Sequence, residues 1–199
     1  MLAVSAYAAE QPRVVFLGNS LTAGYQIDEN DAFPALIQQK IDERGWNYRV
    51  VNAGVSGDTS AGGLSRIDWL LNQPVSVMVI SLGANDGLRG LDLDQTKENL
   101  QKIINAIEDK RPDARIILSG MEIPPNLGSE YAEQFREIFP RLAENNDVEL
   151  IPFLLEGVGG EEAYNLDDGI HPNPEGHKII AGNVWDVLEP VLSETARTP

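Results

Sequence analysis

Val75-Ser76-Val77-Met78-Val79-Ile80-Ser81-Leu82 runs directly into Gly83-Ala84-Asn85-Asp86-Gly87. An almost unbroken apolar run of this length suits a parallel strand, because helices cover both faces of such a sheet. The glycines and the Asn-Asp pair then interrupt the pattern, and the segment reads as a turn at the strand's carboxyl end.

The segments on either side alternate between the two periodicities. Residues 14–17 form a short apolar strand ending at Gly18. Residues 33–44 place Phe33, Leu36, Ile37 and Ile41 at helical spacing, with Gly45 as a stop. A second strand covers residues 48–51. The Gly- and Ser-rich residues 55–63 then pass into a helix with Leu64, Ile67, Leu70 and Leu71 on its apolar face.

Beyond the central strand, residues 96–110 are a helix, 114–118 a fourth strand, 131–144 a helix and 148–153 a fifth strand. Asn173 is a good N-cap with Pro174 at the first helical position, and this last helix is expected to stop near Leu188, ahead of Pro190. Strands alternating with helices argue for an α/β fold: one domain, a three-layer α/β/α sandwich around a five-stranded parallel sheet. The domain is expected over residues 13–192, between tails at 1–12 and 193–199.

The bulk composition narrows the function. The chain has 199 residues and 31 acids against 15 Lys plus Arg, a formal net charge of −16. Such a surface repels nucleic acid and anionic lipid, and it disfavours polyanionic substrates such as coenzyme A esters. There are no cysteines and two histidines, His171 and His177, so thiol chemistry and a multi-histidine metal site are both excluded. No apolar run approaches the roughly 20 residues that span a bilayer, so stable membrane insertion is not expected. Ala6-Tyr7-Ala8 matches an A-x-A cleavage pattern. Residues 1–12 read either as the tail of a clipped export signal or as an ordinary terminus, and the first reading leans toward a periplasmic or secreted protein, the second toward the cytoplasm.

In doubly wound sheets, ligands bind beyond the carboxyl ends of the strands. The unusual polar clusters all fall there: Gly18–Ser20 after the first strand, residues 54–58 after the second, 83–87 after the third, and Asp168-Gly169-Ile170-His171 after the fifth. Ester hydrolysis needs an activated hydroxyl, a base, a group to hold the base, and donors for the oxyanion. Ser20 sits at a strand-to-helix turn, where its own N–H has no helical acceptor and the helix dipole favours negative charge. Taken alone, Ser20 is more often a helix cap than a nucleophile. Asp168, three residues before His171, can hold one ring nitrogen while the other faces a serine. His177, on the last helix, reads as a partly exposed helix residue. The Asn85 amide can complete an oxyanion hole with the backbone N–H groups of Ser20 and Gly54, glycine being required at 54 for close approach of substrate. Asp58 and Thr59 read as caps of the helix that follows.

At this point the chain resembles a known family. GNSLTAGY, NAGVSGDTSAGGL, GANDGLRG and DGIHPN match, in order and spacing, the four signature blocks of the SGNH (GDSL-like) hydrolases, and most resemble the bacterial thioesterase/lysophospholipase/arylesterase group. The similarity runs from about residue 13 to 192. It implies a flavodoxin-like fold and a serine esterase acting on small-molecule esters without metal or organic cofactor. Ser20 would be the nucleophile, His171 the base and Asp168 its partner, with Ser20, Gly54 and Asn85 as oxyanion donors. It also implies a mobile loop at residues 87–92 over the acyl pocket. Thioesters, lysophospholipids and acetylated sugars are the rival substrates. A non-catalytic binding module of the same fold is the rival class. Nothing in the sequence calls for an oligomer.

One position departs from the family pattern. The first block usually reads Gly-Asp-Ser-Leu, whereas here Asn19 replaces the acid. Asn keeps the shape and one acceptor but removes a negative charge and adds an N–H₂ donor beside the nucleophile. Asn19→Asp is therefore expected to change kcat/KM on a short-chain aryl ester without abolishing turnover. Matching kinetics and stability in the two proteins would remove Asn19 as a tuning residue.

Overall fold

The computed structural model describes residues 11–197, with the backbone alone described for 195–197. The Ala6-Tyr7-Ala8 pattern lies outside the described residues. Five strands, β1 (Arg13–Gly18), β2 (Arg49–Gly54), β3 (Val77–Ser81), β4 (Arg115–Ser119) and β5 (Glu149–Ile151), form one parallel sheet in the order β2-β1-β3-β4-β5. Every residue of β3 is buried, as its unbroken apolar sequence requires. The strand order reverses direction after β1, so the switch point lies between β1 and β3, where Gly18 pairs with Ser81.

The connections then set the layers. Right-handed crossovers put the helix between β1 and β2 on one face, and those between β2, β3, β4 and β5 on the other. In accord with this, α2 (Phe33–Glu43) packs with α7 (Pro174–Arg197), and α3 (Ser60–Leu70), α5 (Leu93–Lys110) and α6 (Ser129–Asn146) pack in series. In α5, Leu100, Ile103, Ile104 and Ile107 are fully buried on one stripe. Each such side chain contributes roughly 1.5–3 kcal/mol of transfer free energy. Asp92 accepts from the N–H groups of Asp94 and Gln95 to cap the helix start. Among the described residues, no helix is long and apolar enough to cross a membrane.

Three sequence expectations need correction. The last helix does not stop near Leu188 but continues through Pro190 to Arg197. A proline inside a helix costs about 3 kcal/mol. Here Pro190 faces solvent, while Val191 and Leu192 in the same turn are buried in the core and offset that cost. Second, the residues after β3 form a short helix, α4 (Ala84–Leu88), rather than a turn alone. Gly83 starts it at φ +104°.

Third, His177 is not partly exposed but 1% exposed. Its Nδ1 accepts from the Phe33 N–H at the start of α2 (3.1 Å), and its ring lies parallel to that of Phe33. This contact ties α7 to α2. It also requires an unprotonated Nδ1, and burial pushes the imidazole down to about 4 from 6.5. Between these values the unfolded chain binds the proton and the folded chain does not, so His177 withdraws stability as pH falls from about 6.5 to 4, on the order of 3 kcal/mol in all. His177→Asn places an acceptor near the Nδ1 position and cannot titrate. Its unfolding free energy should decline less steeply than the wild type's across that window in urea melts. Parallel slopes would show that His177 is not a source of acid sensitivity.

Candidate active site

Ser20 begins α1 (Ser20–Ala23), a single turn that starts where β1 ends. Asn19 is the N-cap: its Oδ1 accepts from the Leu21 N–H at 3.0 Å, and the residue is 1% exposed. Asn19 is thus part of the turn that aims the serine. Gly24 closes the helix in the left-handed conformation (φ +74°), and both Gly24 and Tyr25 donate their N–H groups to the Ser20 carbonyl. The backbone of Ser20 is therefore held from both sides.

Asp168 and His171 arrive on the segment between β5 and α7. Leu166 N–H donates to the His171 carbonyl (2.7 Å) and Gly169 N–H to the Leu166 carbonyl (2.8 Å), closing a tight loop that needs Gly169 at φ +68°. Within it, Asp168 Oδ1 accepts from the backbone N–H groups of Ile170 and His171, both at 2.9 Å, while Oδ2 lies 2.6 Å from His171 Nδ1. The other ring nitrogen, Nε2, lies 3.0 Å from Ser20 Oγ. Serine hydroxyl, imidazole and carboxylate form one continuous chain of hydrogen bonds.

The charge on this chain is well defined. The two backbone N–H groups, from His171 and then Ile170, together with the imidazole N–H, hold the Asp168 carboxyl down to about 2. Asp168 is a carboxylate at any working pH, so its acceptor favours the tautomer with the proton on Nδ1. That leaves Nε2 as an acceptor toward Ser20.

Asn85, in α4, lines the same cleft as Ser20 and His171. One of its two amide N–H groups donates to the Asp58 carbonyl (2.8 Å), and the second has no acceptor among the described residues. Its neighbour Asp86 is 2% exposed and fixes the helix from below. Asp86 Oδ2 accepts from Ser60 N–H (2.8 Å) and Oδ1 from Ser60 Oγ–H (2.5 Å), and Asn99 Nδ2 donates to that same Ser60 Oγ (3.0 Å).

Gly54 departs from the expected role. Its N–H donates to Asn52 Oδ1 at 2.9 Å. A Cβ there would fall 2.3 Å from Ala23 N, so the missing side chain serves the packing of β2 against α1 rather than the approach of a substrate. Three residues on, Gly57 has φ +86° and is exposed, its carbonyl is held by Arg89 Nη2 (3.1 Å), and its peptide leads into the Asp58 carbonyl that holds Asn85. Gly57 lies within the Gly- and Ser-rich residues 55–63, and nothing in the sequence ranks it above Gly54. Thr59 caps α3 as expected, accepting from Gly62 N–H, while the Asp58 carboxylate instead bonds Arg66 Nε at 2.7 Å.

Tyr25 also borders the site. Its ring lies 4.4 Å, centroid to centroid, from that of His171 at a tilt of 39°. It sits just beyond the turn that carries Ser20, and only the fold brings it to a histidine far along the chain.

A cleft of about 490 Å³ opens from this constellation. Its walls are mostly apolar, with Leu88, Met121, Ile123, Pro124, Phe153 and Leu155 among them. A second groove, of about 660 Å³ between α5 and α6, is lined mainly by charged side chains and contains no nucleophile–base pair.

Comparison with known proteins identifies the family. The model of the GDSL-like Lipase/Acylhydrolase family matches residues 16–179. The chain is 40% identical over 186 residues to "Esterase TesA" of Pseudomonas aeruginosa, covering 93% of this chain and 91% of the relative. It is 40% identical over 190 residues to "Thioesterase 1/protease 1/lysophospholipase L1" of Escherichia coli strain K12, covering 94% of this chain and 88% of that one. A crystal structure of TesA superimposes with a TM-score of 0.86 at 38% identity, over 90% of this chain and 99% of that chain. The chain belongs to the GDSL-like lipase/acylhydrolase family and is a carboxylic ester hydrolase.

Proposed function

We propose that the protein is a serine esterase that cleaves short- to medium-chain acyl or aryl esters through Ser20, His171 and Asp168. The observation that carries this reading is the run of contacts from Ser20 Oγ to His171 Nε2 (3.0 Å) and from His171 Nδ1 to Asp168 Oδ2 (2.6 Å). His171 Nε2 takes the Ser20 proton as Oγ attacks the ester carbonyl, and Asp168 steadies the imidazolium that results. The oxyanion is stabilised by Ser20 N–H and the free N–H of the Asn85 amide. In place of Gly54 we assign Gly57 as the third donor, since its N–H has no acceptor among the described residues and its peptide is fixed beside Asn85. His171 then hands the proton to the leaving alkoxide, and water repeats the cycle on the acyl-enzyme.

The apolar cleft beside Ser20 supports an acyl or aryl group as the part of the substrate that is bound, and a net charge of −16 weighs against polyanionic thioesters. The Ala6-Tyr7-Ala8 pattern supports a site of action outside the cytoplasm.

Ser20→Ala should remove nearly all hydrolysis of p-nitrophenyl butyrate and all labelling by a fluorophosphonate probe, whereas retained turnover would refute the reading. Asn85→Ala should lower kcat by about 10²–10³ with little change in KM. A loss confined to KM would place Asn85 in ground-state binding instead. Asp168→Asn leaves a neutral partner that no longer favours the Nδ1–H tautomer. Its kcat should fall by up to ~10⁴, and steady-state kinetics on the same ester would reveal the loss.

A further inference from the structure

Arg66, on α3, bridges two of the loops that build the site. Its Nη2 donates to the Gly18 carbonyl (2.9 Å), one peptide before the Asn19–Ser20 turn, and its Nε donates to Asp58 Oδ2 (2.7 Å). The Gly18 carbonyl also accepts from Val55 N–H at 3.1 Å, at the entry to the second loop. Both side chains are about four-fifths shielded from solvent, 21% exposed for Arg66 and 18% for Asp58. Gly62 leaves room for the carboxylate, since a Cβ there would lie 2.6 Å from Asp58 Oδ1. The main-chain oxygen of the same Asp58 holds the Asn85 amide at 2.8 Å. One guanidinium thus connects the nucleophile turn, the Gly57–Asp58 loop and, through that loop, Asn85.

We propose that Arg66 is a positioning residue for the oxyanion site: by fastening Gly18 to Asp58 it sets where Gly57 N–H and the Asn85 amide stand relative to Ser20 Oγ. This inference rests on the serine-esterase reading given above. Arg66 does not touch the substrate and acts through the Asp58 peptide. A fork of fixed N–H groups suits the task, because Nε and Nη2 diverge toward two acceptors on different loops, whereas a lysine ammonium on a flexible stem holds one of them well at a time. Donors that stabilise a developing oxyanion lose most of their effect when displaced by about an ångström.

The test is a double-mutant cycle on p-nitrophenyl butyrate hydrolysis with the full chain, comparing wild type, Arg66→Met, Asn85→Ala and the double variant. Arg66→Met should lower kcat by roughly 10- to 30-fold with KM within about twofold. In the Asn85→Ala background the same change should cost no more than about threefold, because groups that act as a unit are not additive. Arg66→Lys should recover only part of the loss. Thermal melts identify the folded variants, and if Arg66→Met does not fold, Arg66→Lys takes its place in the cycle. An equal factor in both backgrounds would overturn the proposal, since a general loosening of the fold multiplies with the Asn85 defect. So would a wild-type kcat in Arg66→Met. Either result with Ser20→Ala still inactive removes Arg66 and leaves the esterase reading standing, whereas an active Ser20→Ala removes both.

Discussion

The turn from β1 into α1 at Gly18 is the constraint on which the site depends. A Cβ at Gly18 would lie 1.9 Å from Thr22 Oγ1 and 3.2 Å from the Ser81 carbonyl, so the chain passes between its own helix and the neighbouring strand only without a side chain. With that passage open, the strand reverses into a helix within two residues. Asn19 then caps the helix, and Ser20 stands at its first position, where a backbone N–H has no acceptor within the helix. Because β1 lies next to β3 in the sheet, the helix α4 that follows β3 is delivered beside Ser20. The nucleophile and the Asn85 amide meet because two parallel strands end side by side.

Beneath this rim, α3 braces the loops through its first two turns. Ser60 at its start meets the buried Asp86 carboxylate, and Arg66 one turn and a half later meets Gly18 and Asp58. A buried carboxylate is costly unless its oxygens are satisfied, and the Ser60 N–H and hydroxyl do this while Asn99 supports the same hydroxyl. The polar groups buried here therefore locate α4 as well as stabilise it. A purely apolar contact would let α4 slide, whereas directional bonds define its position.

The base is supplied differently, from a loop rather than a helix end. The two backbone N–H groups that hold Asp168 come from Ile170 and His171 themselves, so the carboxylate is anchored by the loop that carries its partner. This local closure keeps Asp168 ionised in a protein whose net charge of −16 favours protonating its acids. The Tyr25 ring lies tilted against that of His171, so the imidazole is bounded by a carboxylate at one nitrogen, a hydroxyl at the other and an aromatic ring beside it.

Features set by near neighbours were legible in the sequence: the burial of β3, the amphipathic stripe of α5, the capping of α7 by Asn173, and the three-residue spacing that lets Asp168 reach His171. The order of four polar blocks after four strands likewise pointed to one rim, because a parallel sheet has only one carboxyl edge. What the sequence did not reveal depends on partners distant in the chain. Gly54 looked suited to an oxyanion until Asn52 and Ala23 claimed its N–H and its missing side chain. His177 looked solvated until α7 laid it against Phe33, and Pro190 looked like a stop until the core took up Val191 and Leu192. Arg66 and Tyr25 carry no local signal of their roles, since Arg66 joins the nearby Asp58 to Gly18, 48 residues away, and Tyr25 meets His171, 146 residues away. Local sequence decides which backbone conformations and buried faces are favourable. Only tertiary packing decides which polar groups meet, because directional hydrogen bonds depend on distances that no local periodicity encodes.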